Sequence, residues 1–440
     1  MSIAVPAPVP ATGEGASSVP DAVEPVPSVF EALESEVRSY CRGWPTVFER
    51  ARGSLMTDED GRDFLDFFSG AGALNYGHNN PVLKRALLDY LERDGVTHGL
   101  DMSTTAKRRF LETFRRLVLD PRGLPYKVMF PGPTGTNAVE AALKLARKVK
   151  KRPQIVSFTG GFHGMSLGSL AVTGNARKRA GAGVPLVHTA PLPFDGYPGS
   201  EEGLALFERM LADPGSGLEH PAAMIVETVQ GEGGINVARP EWLRALAALC
   251  RRWDMLLIVD DIQMGCGRTG AFFSFEDAGV VPDIVLLSKS ISGYGLPMSL
   301  CLFREELDVW EPGEHNGTFR GNNPAFVTAA AALQTYWADG ALEEQTRLRG
   351  EQVRAALEKI AAEHSGAVAS VRGRGLAWGV EMRDREAAGR IARRSFDHGL
   401  LVETSGPYSE VVKLLPALTV SPAELDEGLR LLSRSVREVL

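Results

Sequence analysis

The chain has 440 residues, 44% of them apolar and 23% charged, with a formal net charge of −7. That is the composition of a soluble globular protein of two or three structural units, and its mixed charge argues against a nucleic-acid or anionic-membrane partner. The four cysteines (Cys41, Cys250, Cys266 and Cys301) are scattered, without a CxxC pair or clustered histidines, so neither a zinc site nor a disulfide framework is expected and a reducing cytoplasm fits best.

Residues 1–27 are rich in Pro, Ala, Gly and Ser and have no basic start followed by an apolar run, which reads as a disordered tail rather than a secretory signal. "SVFEALESEVRSYCR" is expected to form a short amphipathic helix opening the folded part, and "GSLMTDEDGRDFLDFFSGAGALNYGHNNP" alternates around Asp-Gly turns like hairpin strands. Helices follow from Pro81 to about Leu91 and from about Thr105 to Val118. Then strands and helices alternate: "YKVMFPG" strand, "TNAVEAALKLARKV" helix, "QIVSF" strand, "AAMIVET" strand, "PEWLRALAALCRRW" helix, "MLLIVDD" strand and "DIVLLSK" strand. Strands apolar throughout predict an α/β unit with a parallel sheet covered on both faces, over roughly residues 75–330. Two long helices, a hairpin ("VASVRGRGLAWGVEM"), a helix, the strand "VVKLLPAL" and a final helix make up an α+β unit over 331–440, with 28–74 as an N-terminal segment of the same smaller domain.

Ligands of open parallel sheets bind beyond the carboxyl ends of the strands, so the residues there are the candidates. After "VMF", Gly135 and Thr136 open a helix, either as an anion site of main-chain N–H groups or as an ordinary cap. After "QIVSF", Phe162 and His163 stand in a glycine-rich turn, either as a platform for a planar ligand or as a buried aromatic with a satisfied histidine. After "MIVE", a flexible loop presents Glu227, Gln230 and Glu232, solvated or lining a site. After "MLLIV" come Asp260, Asp261, Ile262 and Gln263; a carboxylate ending an apolar strand needs a partner, which a protonated heterocycle nitrogen would provide and which a loop cap provides equally for Asp261. After "DIVLLS" comes Lys289, either in water at a strand end or held for covalent chemistry.

Together these form a phosphate cradle, a ring platform, a carboxylate for a ring nitrogen and a Schiff-base lysine, the set that pyridoxal 5′-phosphate needs. "GCGRTG", Gly265–Gly270, fits GxGxxG, but it does not directly follow its strand and does not open a helix, so a turn is expected there and not a dinucleotide site.

At these residues the chain resembles the class III (ω-amino) aminotransferases of fold type I. "IVDDIQMGCGRTG", "VETVQGEGG", "GGFHG" and "GTFRGNNPA" are similar to the family's motifs, and the resemblance covers about residues 30–440. It implies a large domain with a mostly parallel seven-stranded sheet, a smaller α+β domain from the two chain ends, and pyridoxal phosphate as cofactor. By that resemblance Lys289 forms the Schiff base and moves the proton, Asp260 pairs with the pyridinium nitrogen, and Ile262 and Phe162 cover the ring faces. Gln263 bonds the phenolic oxygen, Gly135 and Thr136 hold the phosphate, and Glu227 and His163 lie beside Asp260. Thr318 reaches the phosphate of a neighbouring subunit, implying a homodimer or higher homo-oligomer with shared sites. Glu232 corresponds to the gate residue that pairs with an arginine and releases it.

Two positions depart from the pattern: Met165 replaces the arginine that often follows the FHG turn, and Lys413 replaces the gating arginine. Lysine lacks arginine's planar fork. Lys413 is expected to receive the substrate α-carboxylate. Within the family, "NYGHNNP", "FHGMSLGSLAVTGN" and "LVETSGPYSEVVKLLPALT" look most like the ectoine-type diaminobutyrate–2-oxoglutarate transaminases, which exchange the amino group of glutamate with aspartate 4-semialdehyde by ping-pong kinetics. Transaminases of ornithine, acetylornithine or 4-aminobutyrate are the alternative, followed by an aminomutase or decarboxylase on the same cofactor and by a non-catalytic binding protein.

Overall fold

The run Ile284–Leu287 that leads into Lys289 is a fully buried strand near the middle of a seven-stranded sheet. The structure, a computed structural model, describes residues 28–199 and 202–440. In chain order the seven strands are β1 (Tyr126–Met129), β2 (Ile155–Phe158), β3 (Thr189–Leu192), β4 (Ala223–Val226), β5 (Leu256–Asp260), β6 (Ile284–Leu287) and β7 (Leu300–Arg304). Their order across the sheet is β1-β7-β6-β5-β4-β2-β3, and only β7 runs against its neighbours. Asp260 is level with Leu286, so Asp260 and Lys289 leave adjacent strands at the same edge.

The strands lack polar alternation because both faces are covered. Ile258, Ile284 and Leu286 pack with Ala138, Ala142 and Leu145 of the helix Gly135–Lys150, whereas Leu257, Val259, Val285 and Leu287 belong to the core on the opposite face. β3 was not visible in the pattern: Pro191 interrupts it, which is tolerated because β3 is an edge strand.

The strands Phe48–Arg52, Leu55–Asp58 and Asp63–Asp66 form a second sheet, joined in parallel by Leu400–Leu401. A third sheet orders Val368–Arg374, Ala377–Met382, Val411–Leu414 and Glu403–Ser405, with Glu403 directly opposite Lys413. The expected hairpins and terminal helices are present, the last running from Pro422 to Val439. No helix of the described residues is long and apolar enough to cross a membrane.

Two compact units are distinguished, one up to Pro45 and one spanning Thr46–Leu440. In the first, the single amphipathic helix expected over 28–42 is instead two short helices, Val29–Leu33 and Tyr40–Gly43. Val29, Leu33 and Val37 are exposed, so no apolar face holds a longer helix together. The tail expected over 1–27 lies outside the described residues.

The GCGRTG segment is a series of turns, as expected, and its arginine has a structural task. Arg268 is completely buried and donates to the Leu376 carbonyl at 3.0 Å, to Asn75 Oδ1 at 2.6 Å and to the Pro416 carbonyl. It thus ties the loop after β5 to chain from both ends of the larger unit. Arg268→Ala strands three buried acceptors and is expected to cost about 3 kcal/mol or more in urea unfolding; a loss below about 1 kcal/mol contradicts this role.

Candidate active site

The expected residues converge on one cavity of about 190 Å³ at the carboxyl edge of the sheet. Gly135, Thr136, Phe162, His163, Glu227, Glu232, Asp260, Ile262, Gln263 and Lys289 all line it, together with Gly164.

Asp260 ends β5 in a buried position, and His163 Nδ1 lies 2.7 Å from its Oδ2. Burial alone would lower the His163 pKa, but the hydrogen bond and charge of Asp260, with a contribution from Glu227, hold it above the ordinary value. Glu227 is pushed up to about 7, chiefly by burial and further by the charge of Asp260; the His163 charge and the main-chain N–H groups of Phe162 and Gly231 oppose this. The Phe162 N–H bond to Glu227 Oε2, 2.9 Å long, fixes the turn that carries the aromatic ring. The remaining aspartate is a loop cap: both Asp261 oxygens accept from Ser274, through its N–H and its hydroxyl.

Lys289 follows β6 with φ at +53°, in the left-handed region that few side-chain-bearing residues adopt. It keeps part of its surface in the cavity, yet it is deep enough that loss of water pushes its pKa below the ordinary lysine value. Its Nζ donates to the Ala71 carbonyl at 2.7 Å, an acceptor it shares with Gln263 Nε2 at 2.9 Å. Gln263 Oε1 is buried without a hydrogen-bond partner among the described residues.

The helix Gly135–Lys150 aims its N-terminus at the cavity, where its first N–H groups and its dipole favour an anion. The Thr136 hydroxyl lies 2.7 Å from Ser166 Oγ and 2.9 Å from Ser169 Oγ. A Cβ on Gly135 would stand 3.0 Å from Ile262 Cδ1, and one on Gly164 would stand 2.6 Å from the Thr136 hydroxyl, so side chains at either glycine would crowd the anion end.

One expectation changes. The "TVQGEGG" stretch is a small hairpin, Val229–Gln230 with Asn236–Val237, and not a flexible loop. Gln230 is buried there and donates to the Thr159 carbonyl at 2.8 Å. Lys413, expected to receive the substrate α-carboxylate, is completely buried and does not line the cavity. Its Nζ lies 2.7 Å from Glu232 and 2.8 Å from Glu403, so Glu232 would have to leave before a substrate reached it. Thr318 is exposed and outside the cavity formed by this chain.

Glu403 and Lys178 went unnoticed in the sequence. The register Glu403↔Lys413 places the first; no short motif marks it. Burial keeps the pKa of Glu403 high, whereas Lys413, Lys289 and Lys178 overcome burial at Glu232 and hold it at about 2.

A carboxylate at one end, a primary amine beside it, apolar side chains on the walls and a helix N-terminus at the far end are the donor set for a phosphorylated pyridine aldehyde. The residues therefore fit pyridoxal phosphate. The comparisons agree with this chemistry. The aminotransferase class-III model matches residues 40–436. The chain is 77% identical to a diaminobutyrate–2-oxoglutarate transaminase of Streptomyces avermitilis over 94% of this chain and 99% of that one. It is 53% identical to one of Virgibacillus pantothenticus, again over 94% and 99%. Among solved structures, an ornithine aminotransferase of Toxoplasma gondii is 27% identical with a TM-score of 0.81, covering 93% of this chain and 94% of that one. A Bacillus anthracis aminotransferase is 25% identical with a TM-score of 0.82, covering 92% and 96%.

Fold and site thus define a pyridoxal-phosphate-dependent enzyme of fold type I. The chain belongs to the class III aminotransferases.

Because the Glu227 carboxyl has a pKa of about 7 when folded against an ordinary 4.5, the folded state retains a proton that the unfolded chain has lost between these values. Stability from this group therefore falls as pH rises through that window. In Glu227→Gln the melting temperature relative to wild type should climb between about pH 5 and pH 8, by the equivalent of at most roughly 3 kcal/mol. A difference that stays flat with pH contradicts the burial argument.

Proposed function

We propose that the protein transfers an amino group between L-glutamate and L-aspartate 4-semialdehyde, yielding 2-oxoglutarate and L-2,4-diaminobutyrate reversibly. The identity of 77% over nearly the whole of both chains to a relative of that name carries the reading. The cavity supports it by bringing Lys289, Asp260 and Glu232 together.

In this reading Gly135 and Thr136 would hold the cofactor phosphate, Phe162 and Ile262 the ring faces, and Asp260 the ring nitrogen, with Lys289 as the covalent attachment point. When bound, pyridoxal phosphate supplies an electron sink for the bonds of the carbon that carries the amino group. His163 Nδ1, 2.7 Å from Asp260 Oδ2, gives that buried carboxyl group a hydrogen-bond partner at the end of β5. Burial holds the Lys289 amine below its ordinary pKa, which favours the neutral form, the form that could take a proton from the substrate carbon and hold it. Gln263 would steady the ring oxygen, and its amide already shares the Ala71 carbonyl with Lys289.

Glu232 is the gate. It screens Lys413 in the state seen here, and its movement would open that cation to the α-carboxylate of glutamate. Both half-reactions then use one site in turn.

We further propose a homodimer in which the exposed Thr318 reaches the neighbouring subunit's phosphate site, and a reducing cytoplasmic setting in which the four cysteines stay free thiols. Resemblance to the ectoine-type branch suggests ectoine synthesis as the setting.

Cofactor-loaded protein mixed with L-glutamate alone should release about one equivalent of 2-oxoglutarate per site, and L-2,4-diaminobutyrate should be consumed faster than ornithine or 4-aminobutyrate. Lys289→Ala should slow this release by at least about 10³-fold. No 2-oxoglutarate from wild type, or faster consumption of ornithine, overturns the assignment.

A further inference from the structure

Both proposed substrates carry a carboxylate at the end away from the reacting carbon. Met165, where an arginine was expected, is 54% exposed and does not line the cavity. Lys413 is sealed between two carboxylates. A different cation, Lys178, stands just outside the lining and beside two residues that form it. Lys178 Nζ lies 4.1 Å from the centroid of the Phe162 ring and 4.0 Å from Glu232 Oε2. Phe162 and Glu232 both line the cavity.

The position of Lys178 is built. It sits on the short helix Ala176–Ala180, where Asn175 Oδ1 accepts its main-chain N–H at 3.0 Å. The next residue, Arg179, donates to the carbonyls of Leu170, Ala171 and Thr173 at 3.1, 2.7 and 2.9 Å, fastening this helix to the one before it. The Lys178 side chain keeps 34% of its surface accessible, so it is wet enough to exchange partners. The Phe162 ring face attracts the ammonium and restricts where it can stand. Glu232 divides its oxygens: Oε1 is bound to Lys413 at 2.7 Å, while Oε2 faces Lys178 across a looser 4.0 Å.

We propose that Lys178 is the specificity-determining residue that receives the distal carboxylate in both half-reactions. The inference rests on the diaminobutyrate–glutamate reading above. Reacting at its terminal amine, L-2,4-diaminobutyrate presents an α-ammonium and an α-carboxylate together at its far end. Glu232 Oε2 and Lys178 Nζ are the complementary pair: the carboxylate meets Lys178 and the ammonium meets Glu232. Reacting at its α-carbon, glutamate presents only a carboxylate at the far end, and Lys178 takes it alone. A single flexible point charge suits two ligands of different length better than a planar fork would.

The test compares Lys178→Met and Lys178→Arg with wild type, all as cofactor-loaded full-length protein. In Lys178→Met, KM for L-glutamate and for L-2,4-diaminobutyrate should each rise at least about tenfold, with kcat changed less than about threefold. The preference for L-2,4-diaminobutyrate over 1,3-diaminopropane, which lacks the carboxylate, should fall at least about tenfold. Calorimetry should show the same weakening for glutarate, a dicarboxylate that cannot react. Lys178→Arg should recover most of each loss because it keeps the charge. Unchanged KM values, or an equal loss with 1,3-diaminopropane, would overturn the proposal. A wild type inert towards both amino acids would overturn the functional reading, and this inference with it.

Discussion

A polar group buried at the end of an apolar strand needs a partner, and the Asp260 carboxyl is such a group. β5 is buried along its whole length, and His163 meets Asp260 at 2.7 Å where it ends. The glycine-rich turn that delivers His163 also carries Phe162, and Glu227 holds that turn through the Phe162 N–H. Pairing one buried polar group therefore also fixes the aromatic wall. The parallel pairing of β5 with β6 then brings Lys289 out at the same edge. Two chemically opposed groups thus face one cavity.

A second set of charges lies behind the first. Lys413 is fully buried and survives as a cation because two carboxylates face it, one across its own sheet and one from the hairpin at the cavity. Removing one partner from such a cluster is costly, so Glu232 moves only when something replaces it. A substrate carboxylate is the natural replacement. The gate thus responds to the charge of the ligand. The third sheet takes part directly, because it supplies Lys413 and Glu403. Arg268 binds the same region to the loop after β5 and to Asn75.

Much of this arrangement is legible in the sequence. Short, fully apolar runs such as "MLLIV" between turn signals fit strands covered on both faces, and the residues that follow them mark the edge where ligands bind. Lys289, Asp260, Gly135 and Phe162 are found that way because each follows its strand at short range. What the sequence conceals depends on distant pairing. Glu403 matters only because it lies opposite Lys413 across a sheet, and Lys178 only because its helix folds back over Phe162. β3 is hidden by its proline, and the burial of Gln230 by the polar look of its hairpin. The helix expected near the N-terminus has the right periodicity, but its apolar residues are left exposed. Periodicity states which face could be buried, not whether a partner exists to bury it.

Of the lysines near the cavity, Lys289 is the one whose amine lines it: Lys413 is held as a cation by two carboxylates, and Lys178 packs on the Phe162 ring outside the lining. Loading the protein with pyridoxal phosphate, reducing it with borohydride and mapping the labelled peptide tests this directly. The label is expected on the peptide containing Lys289 and is expected to vanish in Lys289→Ala. A label on Lys178 or Lys413 in the wild-type protein would contradict the account.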